Sequence, residues 1–299
     1  MTLLGIDLGG TKVALRAVGD RGVHEDVFTW PVAGGLAADL EALTGAVRAL
    51  LARAGGAVRS AGVALPATVD GHGRISAWPN RPSWIGLDVP RTLAALVPGA
   101  AVQWGDDGDV AAVAESRHTG CGDLLYVGVG TGIGGGLVLG GRMVPGPALG
   151  SFELGHLPVR PAGPRCRCGR QGCLQAVASG PATLARAAAL RRRAVPAEEF
   201  VGAFAAAEPW AVTALRDGTD AVALAVVGVS ELLHPALVAV GGGFAGAVPG
   251  YAGLVAEQVA RLARTGQPPA AVVAAAVPNP SLRGALLLAE DAAALSPMI

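Results

Sequence analysis

A chain of 299 residues is long enough for two domains of ordinary size, each with its own core. Its 23 basic and 23 acidic residues cancel, which removes the long-range field that nucleic acid or an anionic membrane surface would select, so neither partner is expected. Mean hydropathy is +0.47, yet no uncharged apolar run reaches the roughly 18 to 20 residues needed to cross a bilayer.

The opening MTLLGIDLGG has no basic region before its apolar stretch and meets an acid at Asp7, unlike a signal peptide. A cytoplasmic, reducing location without disulfides is therefore expected. The first strong pattern is Leu3 to Val18, two apolar runs around Gly9-Gly10-Thr11-Lys12. It predicts a β-hairpin whose turn uses glycine's access to positive φ. Asp7, at the end of the first strand, is placed to hold Mg²⁺, a hard cation that prefers oxygen ligands.

A similar pattern returns at Leu124 to Val144, where two strand-like runs bracket Gly130-Thr131-Gly132-Ile133-Gly134-Gly135-Gly136. The recurrence predicts two related domains, each opening with a glycine-turned hairpin. Gly130, Gly132 and Gly135 also match the spacing of a dinucleotide fingerprint, but that motif needs a helix directly after the glycines and a strand-like run follows instead. The better reading is a pair of turns whose N–H groups, with the Thr11 and Thr131 hydroxyls, contact phosphate oxygens.

The stretch Gly155 to Leu174 holds three of the four cysteines. His156, Cys166, Cys168 and Cys173 form a Cys₃His set suited to tetrahedral, structural zinc, with Gly169 and Gly172 letting the chain turn back. Three incidental buried thiols are the competing reading. With four protein ligands no position remains for activated water. A metal on one imidazole nitrogen of His156 leaves the other as a donor of fixed direction, and Glu153 lies three residues away to accept. Leu184–Arg193 and Thr219–Leu233 read as helices, and Gly241-Gly242-Gly243 follows a strand-like run and opens a further helix.

These residues resemble the ROK family of repressors and sugar kinases, in its glucokinase-like and N-acyl-hexosamine kinase branch. IDLGGTK resembles the first phosphate motif, GVGTGIGGG the second, ELGH with CRCGRQGCL the sugar-and-zinc signature, and LLHPALVAVGGG the adenosine motif. The resemblance implies an α/β, two-lobed actin/hexokinase-type (ribonuclease H-like) ATPase fold. Residues 1–107 plus 281–299 would form the small lobe and residues 108–280 the large lobe with the zinc site, the final helix, about Ser281 to Leu295, packing on the first. It also implies homodimerisation through the larger lobe.

By the same resemblance WGDDGDVAAVAE matches the family's Asn-Asp motif, making Asp107 the catalytic base and Asp106 the counterpart of a sugar-binding Asn. Asn80, Glu153, His156 and Gln175 would contact the sugar. Gly9, Gly10, Thr11, Lys12, Gly130, Thr131, Gly132, Gly241, Gly242 and Gly243, with Asp7, would hold Mg·ATP. The reaction implied is phosphoryl transfer from ATP to the primary hydroxyl of a hexose, an N-acyl aminosugar or a cyclitol. A non-catalytic sugar sensor or DNA-binding regulator is the alternative, although regulators of this kind carry a helix-turn-helix ahead of the first phosphate strand. Two departures redistribute the pocket's donors and acceptors: Asp106 stands for Asn, and Gln175 for the usual Glu. Both argue against plain glucose. Pro66-Ala67 replaces the family's Pro-Gly and has no functional account.

Overall fold

The computed structural model describes residues 1–146 and 149–295, so residues 296–299 of the expected small lobe lie outside it. The chain divides into two units, one of Met1–Ala114, Met143–Ser151 and the C-terminal segment from Val277, the other of Glu115–Arg142 and Phe152–Ala276.

In the first unit, β1 (Thr2–Leu8) and β2 (Lys12–Gly19) form the expected hairpin, with Asp7 opposite Ala14. β3 (Gly22–Thr29) extends it, α1 (Gly35–Ala54) crosses over, and β4 (Val58–Ala64) returns parallel to β1. A short ribbon of β5 (Thr68–Val69) and β6 (Ile75–Ala77) precedes α2 (Val89–Leu96), β7 (Ala101–Gly105) and α3 (Asp107–Thr119). The sheet order is β3-β2-β1-β4-β7.

One face of this sheet is covered by α1, whose buried positions Asp39, Leu43, Val47, Leu50 and Ala54 recur at three- and four-residue spacing. Leu43, Val47 and Leu50 join Leu4, Ile6, Val13 and Leu15 in one core. The C-terminal helix, Pro280–Leu295, packs on β1 and β4. Its approach depends on missing side chains: a Cβ on Gly62 would strike the Ala285 carbonyl, and one on Gly284 the Val110 carbonyl. Ser60 Oγ donates to Ala289 O at 2.7 Å, and an Arg59 guanidinium N–H to Ala293 O at 2.8 Å.

The second unit repeats the scheme. β8 (Leu124–Val129) and β9 (Ile133–Leu139) are antiparallel, β10 (Arg142–Val144) lies outside β9, and β11 (Leu237–Gly241) and β12 (Ala271–Ala274) run parallel to β8, giving the order β10-β9-β8-β11-β12. Its helices are α4 (Leu174–Ala178), α5 (Gly180–Arg191), α6 (Ala197–Ala205), α7 (Pro209–Leu233), α8 (Gly243–Ala247) and α9 (Tyr251–Leu262). The duplication read from two glycine hairpins is thus matched strand for strand. Because β9 starts at Ile133, Gly134, Gly135 and Gly136 belong to a strand and not to a helix start, which disposes of the dinucleotide fingerprint. Among the described residues no helix is long and apolar enough to cross a membrane.

The Gly62 contact sets a stability test. Gly62→Ala should cost about 2–3 kcal/mol, the usual range for overpacking against backbone that cannot yield. Urea unfolding followed by circular dichroism should show a lower midpoint, whereas Gly71→Ala, where an added Cβ meets nothing within 4 Å, should leave it unchanged.

Candidate active site

The first glycine turn joins β1 to β2. Its glycines have ordinary negative-φ geometry, since neither Gly9 nor Gly10 is among the positive-φ residues; the expected left-handed turn is not what selects them. Close approach is. A Cβ on Gly9 would lie 2.7 Å from Lys12 O, and one on Gly10 would press on the Asn80 side chain. The Asn80 side chain therefore lies directly against this turn, while Thr11 and Lys12 are exposed beside it.

Asp106 and Asp107 stand where β7 gives way to α3, both half-buried. Asp106 caps the helix: its Oδ1 accepts from the Gly108 N–H at 3.1 Å and its carbonyl from the Val110 N–H at 2.9 Å. Asp107 is the first helical residue, where the macrodipole favours a carboxylate, and its carbonyl accepts from Ser281 Oγ at 3.3 Å. The fold brings Asp7 into the same neighbourhood. Burial first, and then the Asp107 charge, push Asp7 up from the ordinary carboxylate range to about 7, with Lys12 opposing. A buried carboxylate with a second one close by suits a hard divalent cation carried in with a phosphate substrate.

In the second unit the turn between β8 and β9 is closed by Gly130 N–H donating to Gly132 O, 2.9 Å, and the Gly130 carbonyl is held by the Gly180 N–H, 2.9 Å. Gly242 has φ +92°, and a Cβ there would strike the Val129 backbone. Gly241, Gly242 and Gly243 are thereby seated against the strand that leads into Gly130, Thr131 and Gly132. Here the positive φ and the close contact both demand glycine.

The His/Cys set converges. His156, Cys166, Cys168 and Cys173 place one ligand atom each within 4.8 Å of one another. Cys168 Sγ and Cys173 Sγ are 3.6 Å apart, and Cys166 Sγ is 3.7 Å from His156 Nδ1. With metal–sulfur bonds of about 2.3 Å, a tetrahedral zinc site has sulfur–sulfur edges of about 3.8 Å, so the donor set fits zinc. The knuckle forms because Cys166 N–H donates to Arg170 O and Gly169 N–H to Cys166 O, with Gly169 and Gly172 at φ +91° and +69°. The Arg170 backbone holds the Cys168 thiol down at about 6, whereas burial pushes Cys173 up to about 12.

The turn Leu154–His156 is pinned over β9, where Gly155 sits against Ile133 O and Leu154 against Gly135. His156 consequently shows Nδ1 to the sulfurs and Nε2 to Glu153, whose Oε2 is 3.9 Å away. Gln175, on α4, donates from Nε2 to Cys166 Sγ at 3.3 Å, and its Oε1 lies 3.0 Å from where a Gly132 Cβ would stand. It touches the His/Cys set and the second glycine turn together, a position that spacing did not foretell.

The first unit thus gathers Asp7, Gly9 to Lys12, Asn80, Asp106 and Asp107; the second gathers Gly130 to Gly132, Gly241 to Gly243, the metal set, Glu153 and Gln175. Sequence reasoning missed the frame behind the first turn. Asp39, 1% exposed, accepts from Arg81 Nη1 at 3.0 and 3.2 Å and from Trp84 Nε1 at 2.8 Å, and the Arg81 guanidinium lies 5.0 Å from the Trp30 ring centroid. An acid on the apolar stripe of α1 was the available signal.

A mixed sheet built twice, each copy turning through glycines after its first strand, defines an actin/hexokinase-type ATPase fold. The ROK family model matches residues 3–292. The kanosamine kinase of Amycolatopsis mediterranei (strain S699) is 51% identical over 288 residues, 96% of this chain and 95% of that protein. An N-acetylmannosamine kinase of Shigella flexneri is 32% identical over 185 residues, 60% of this chain and 62% of that one. Among solved structures, the ROK hexokinase from Thermus thermophilus superposes with a TM-score of 0.83 at 33% identity, covering 97% and 98% of the two chains. A ROK family glucokinase from Streptomyces griseus, solved with glucose and AMPPNP, gives 0.79 at 25% identity, covering 97% and 100%. The chain belongs to the ROK family, and within it is an ATP-dependent sugar kinase.

Two outcomes follow from this geometry. A carboxylate raised to about 7 binds a proton in the fold that the unfolded chain gives up near pH 4, so Asp7 erodes stability as pH rises from about 4 to about 7. Asp7→Asn should therefore raise the Mg²⁺-free melting temperature by about 2–6 °C at pH 8, with the gain gone at pH 4. Elemental analysis should find one zinc per chain, and Cys166→Ser should lower both zinc content and melting temperature while circular dichroism still reports folded protein.

Proposed function

We propose that this kinase phosphorylates the primary hydroxyl of a hexose that carries a free amino group, with kanosamine as the acceptor to test first. The observation that carries the reading is the Asp106–Asp107 doublet at the start of α3, where the family resemblance expects Asn–Asp. An amide offers a donor and an acceptor; an ionised carboxylate only accepts. A substrate group that only donates and is positively charged, an ammonium, is the complement of that change. The identity shared with a kanosamine kinase over nearly the full length supports the same acceptor class.

In this mechanism Asp107 accepts a hydrogen bond from the primary hydroxyl, and then its proton, as the hydroxyl oxygen bonds to the γ-phosphorus and the bond to the β–γ bridging oxygen breaks. ADP leaves and the sugar phosphate remains. The turns Gly9–Lys12 and Gly130–Gly132, with Gly241–Gly243, orient Mg·ATP through backbone N–H groups, and Asp7 contributes a carboxylate toward its cation. Asn80, Glu153, His156 and Gln175 position the sugar, with Asp106 beside its ammonium. Zinc, when bound to His156, Cys166, Cys168 and Cys173, fixes the imidazole so that Nε2 presents one orientation next to Glu153. A structural rather than catalytic metal, a homodimer and a cytoplasmic location belong to the same reading, and the balanced charge gives no reason to add nucleic acid.

A coupled assay of ADP formation with kanosamine, glucose, N-acetylglucosamine and a cyclitol tests the proposal. Kanosamine should have the highest kcat/KM. Asp106→Asn should lower it about 10–100-fold for kanosamine, the size of one charge-assisted hydrogen bond, and change glucose less than threefold. Asp107→Asn should reduce kcat about 10²–10⁴-fold with every acceptor. A wild-type preference for glucose or for the N-acetylated sugar would overturn the assignment.

A further inference from the structure

The backbone of the first glycine turn is held from behind by one small buried frame. Trp30 Nε1 donates to Gly9 O at 2.8 Å, Arg81 Nε to Gly10 O at 3.4 Å, and the Trp30 backbone N–H to Thr11 O at 3.2 Å. All three consecutive carbonyls of Gly9, Gly10 and Thr11 therefore face the same support.

A trans peptide points its C=O and N–H in opposite directions. Fixing the carbonyls of Gly9, Gly10 and Thr11 thereby turns the N–H groups of Gly10, Thr11 and Lys12 away from the groups that hold them, as a row of donors. Such a row suits phosphate oxygens. A turn of two glycines has wide backbone freedom of its own and would otherwise sample orientations in which the donors do not converge.

The frame itself is oriented by one carboxylate. Arg81 is 18% exposed and bonds both oxygens of Asp39, which is 1% exposed and also accepts from Trp84 Nε1. Trp30 and Trp84 meet edge to face with centroids 5.6 Å apart, and Trp84 meets Trp78 in the same way at 5.0 Å. With the bond to Asp39 at one end and the face of Trp30 at 5.0 Å, the guanidinium has one direction left for Nε, toward Gly10 O. A buried ion pair contributes little to stability relative to apolar packing. Its retention on the apolar stripe of α1 is accounted for by orientation.

We infer that Asp39, acting through Arg81, is a positioning residue for the nucleotide phosphates: it sets the direction of the Gly9–Lys12 N–H row without touching substrate. The inference rests on the reading of that turn as a phosphate site. The double variant D39N/R81M removes both charges together, so no uncompensated ion is buried, and Arg81→Lys keeps the charge but cannot maintain the planar, two-ended contact.

Steady-state kinetics on the zinc-loaded full chain should show KM for Mg·ATP raised about tenfold and kcat lowered about tenfold in D39N/R81M. The Kd of the sugar alone, measured by calorimetry without nucleotide, should stay within threefold and the melting temperature within a few degrees. Arg81→Lys should fall between. Wild-type KM and kcat in the double variant would overturn the inference, as would equal losses in sugar affinity and nucleotide KM, or unfolding of both variants, which assign the pair to stability. If the wild-type protein consumed no ATP with any acceptor, it is the phosphate-turn reading that would fail, and a wild type that is active beside unaltered variants would sink the positioning role alone.

Discussion

The peptide group has two ends that point opposite ways, and much of this site follows from that constraint. A turn that is to offer N–H groups must have its carbonyls held elsewhere. In the first unit they are held by Trp30 and Arg81; in the second, the Gly130 carbonyl is held by the Gly180 N–H at the start of α5. The same demand is met in the first turn by two side chains and one backbone N–H, and in the second by backbone alone. The duplicated sheets share strand order, but their supports differ, because a crossover helix with a buried acid stands behind one turn and a helix start behind the other.

Charge placement gives the site its chemical character. Burial and the neighbouring Asp107 charge raise the cost of ionising Asp7, a cost that a nearby cation lowers. Asp106 is tied to α3 as its cap, so its carboxylate is presented at a fixed position, and when ionised it can only accept hydrogen bonds. At the His/Cys set the opposite logic holds: Gln175 brings an amide donor to Cys166, where a carboxylate would add a like charge next to sulfur.

Much of this was legible in the sequence, for physical reasons. Gly9-Gly10 and Gly130 to Gly136 between apolar runs indicated the paired hairpins, and the Cys₃His spacing indicated a converging set, because knuckles need glycines at fixed offsets and Gly169 and Gly172 supply them. Other features could not be read locally. β3, the full length of α7 and the helix α6 lack a clean period, and long-range packing decides them. The reason for Gly9 and Gly10 was misjudged, since a close approach by Lys12 O and Asn80 depends on chain segments far apart in sequence. The frame of Trp30, Asp39, Arg81 and Trp84 spans more than fifty residues and exists only once α1 is laid on the sheet. So does the placement of Gln175 between sulfur and turn.

The helix of residues 280–295 bears on how the protein is born. It bonds to Arg59 and Ser60 across sequence separations of 234 and 229 residues, so during synthesis strands β1 and β4 emerge from the ribosome long before the element that covers one of their faces. The intervening unit has all its own strands and can condense meanwhile. The amino-terminal half must wait with apolar surface uncovered, a window in which chaperone capture or aggregation competes with completion of the enzyme.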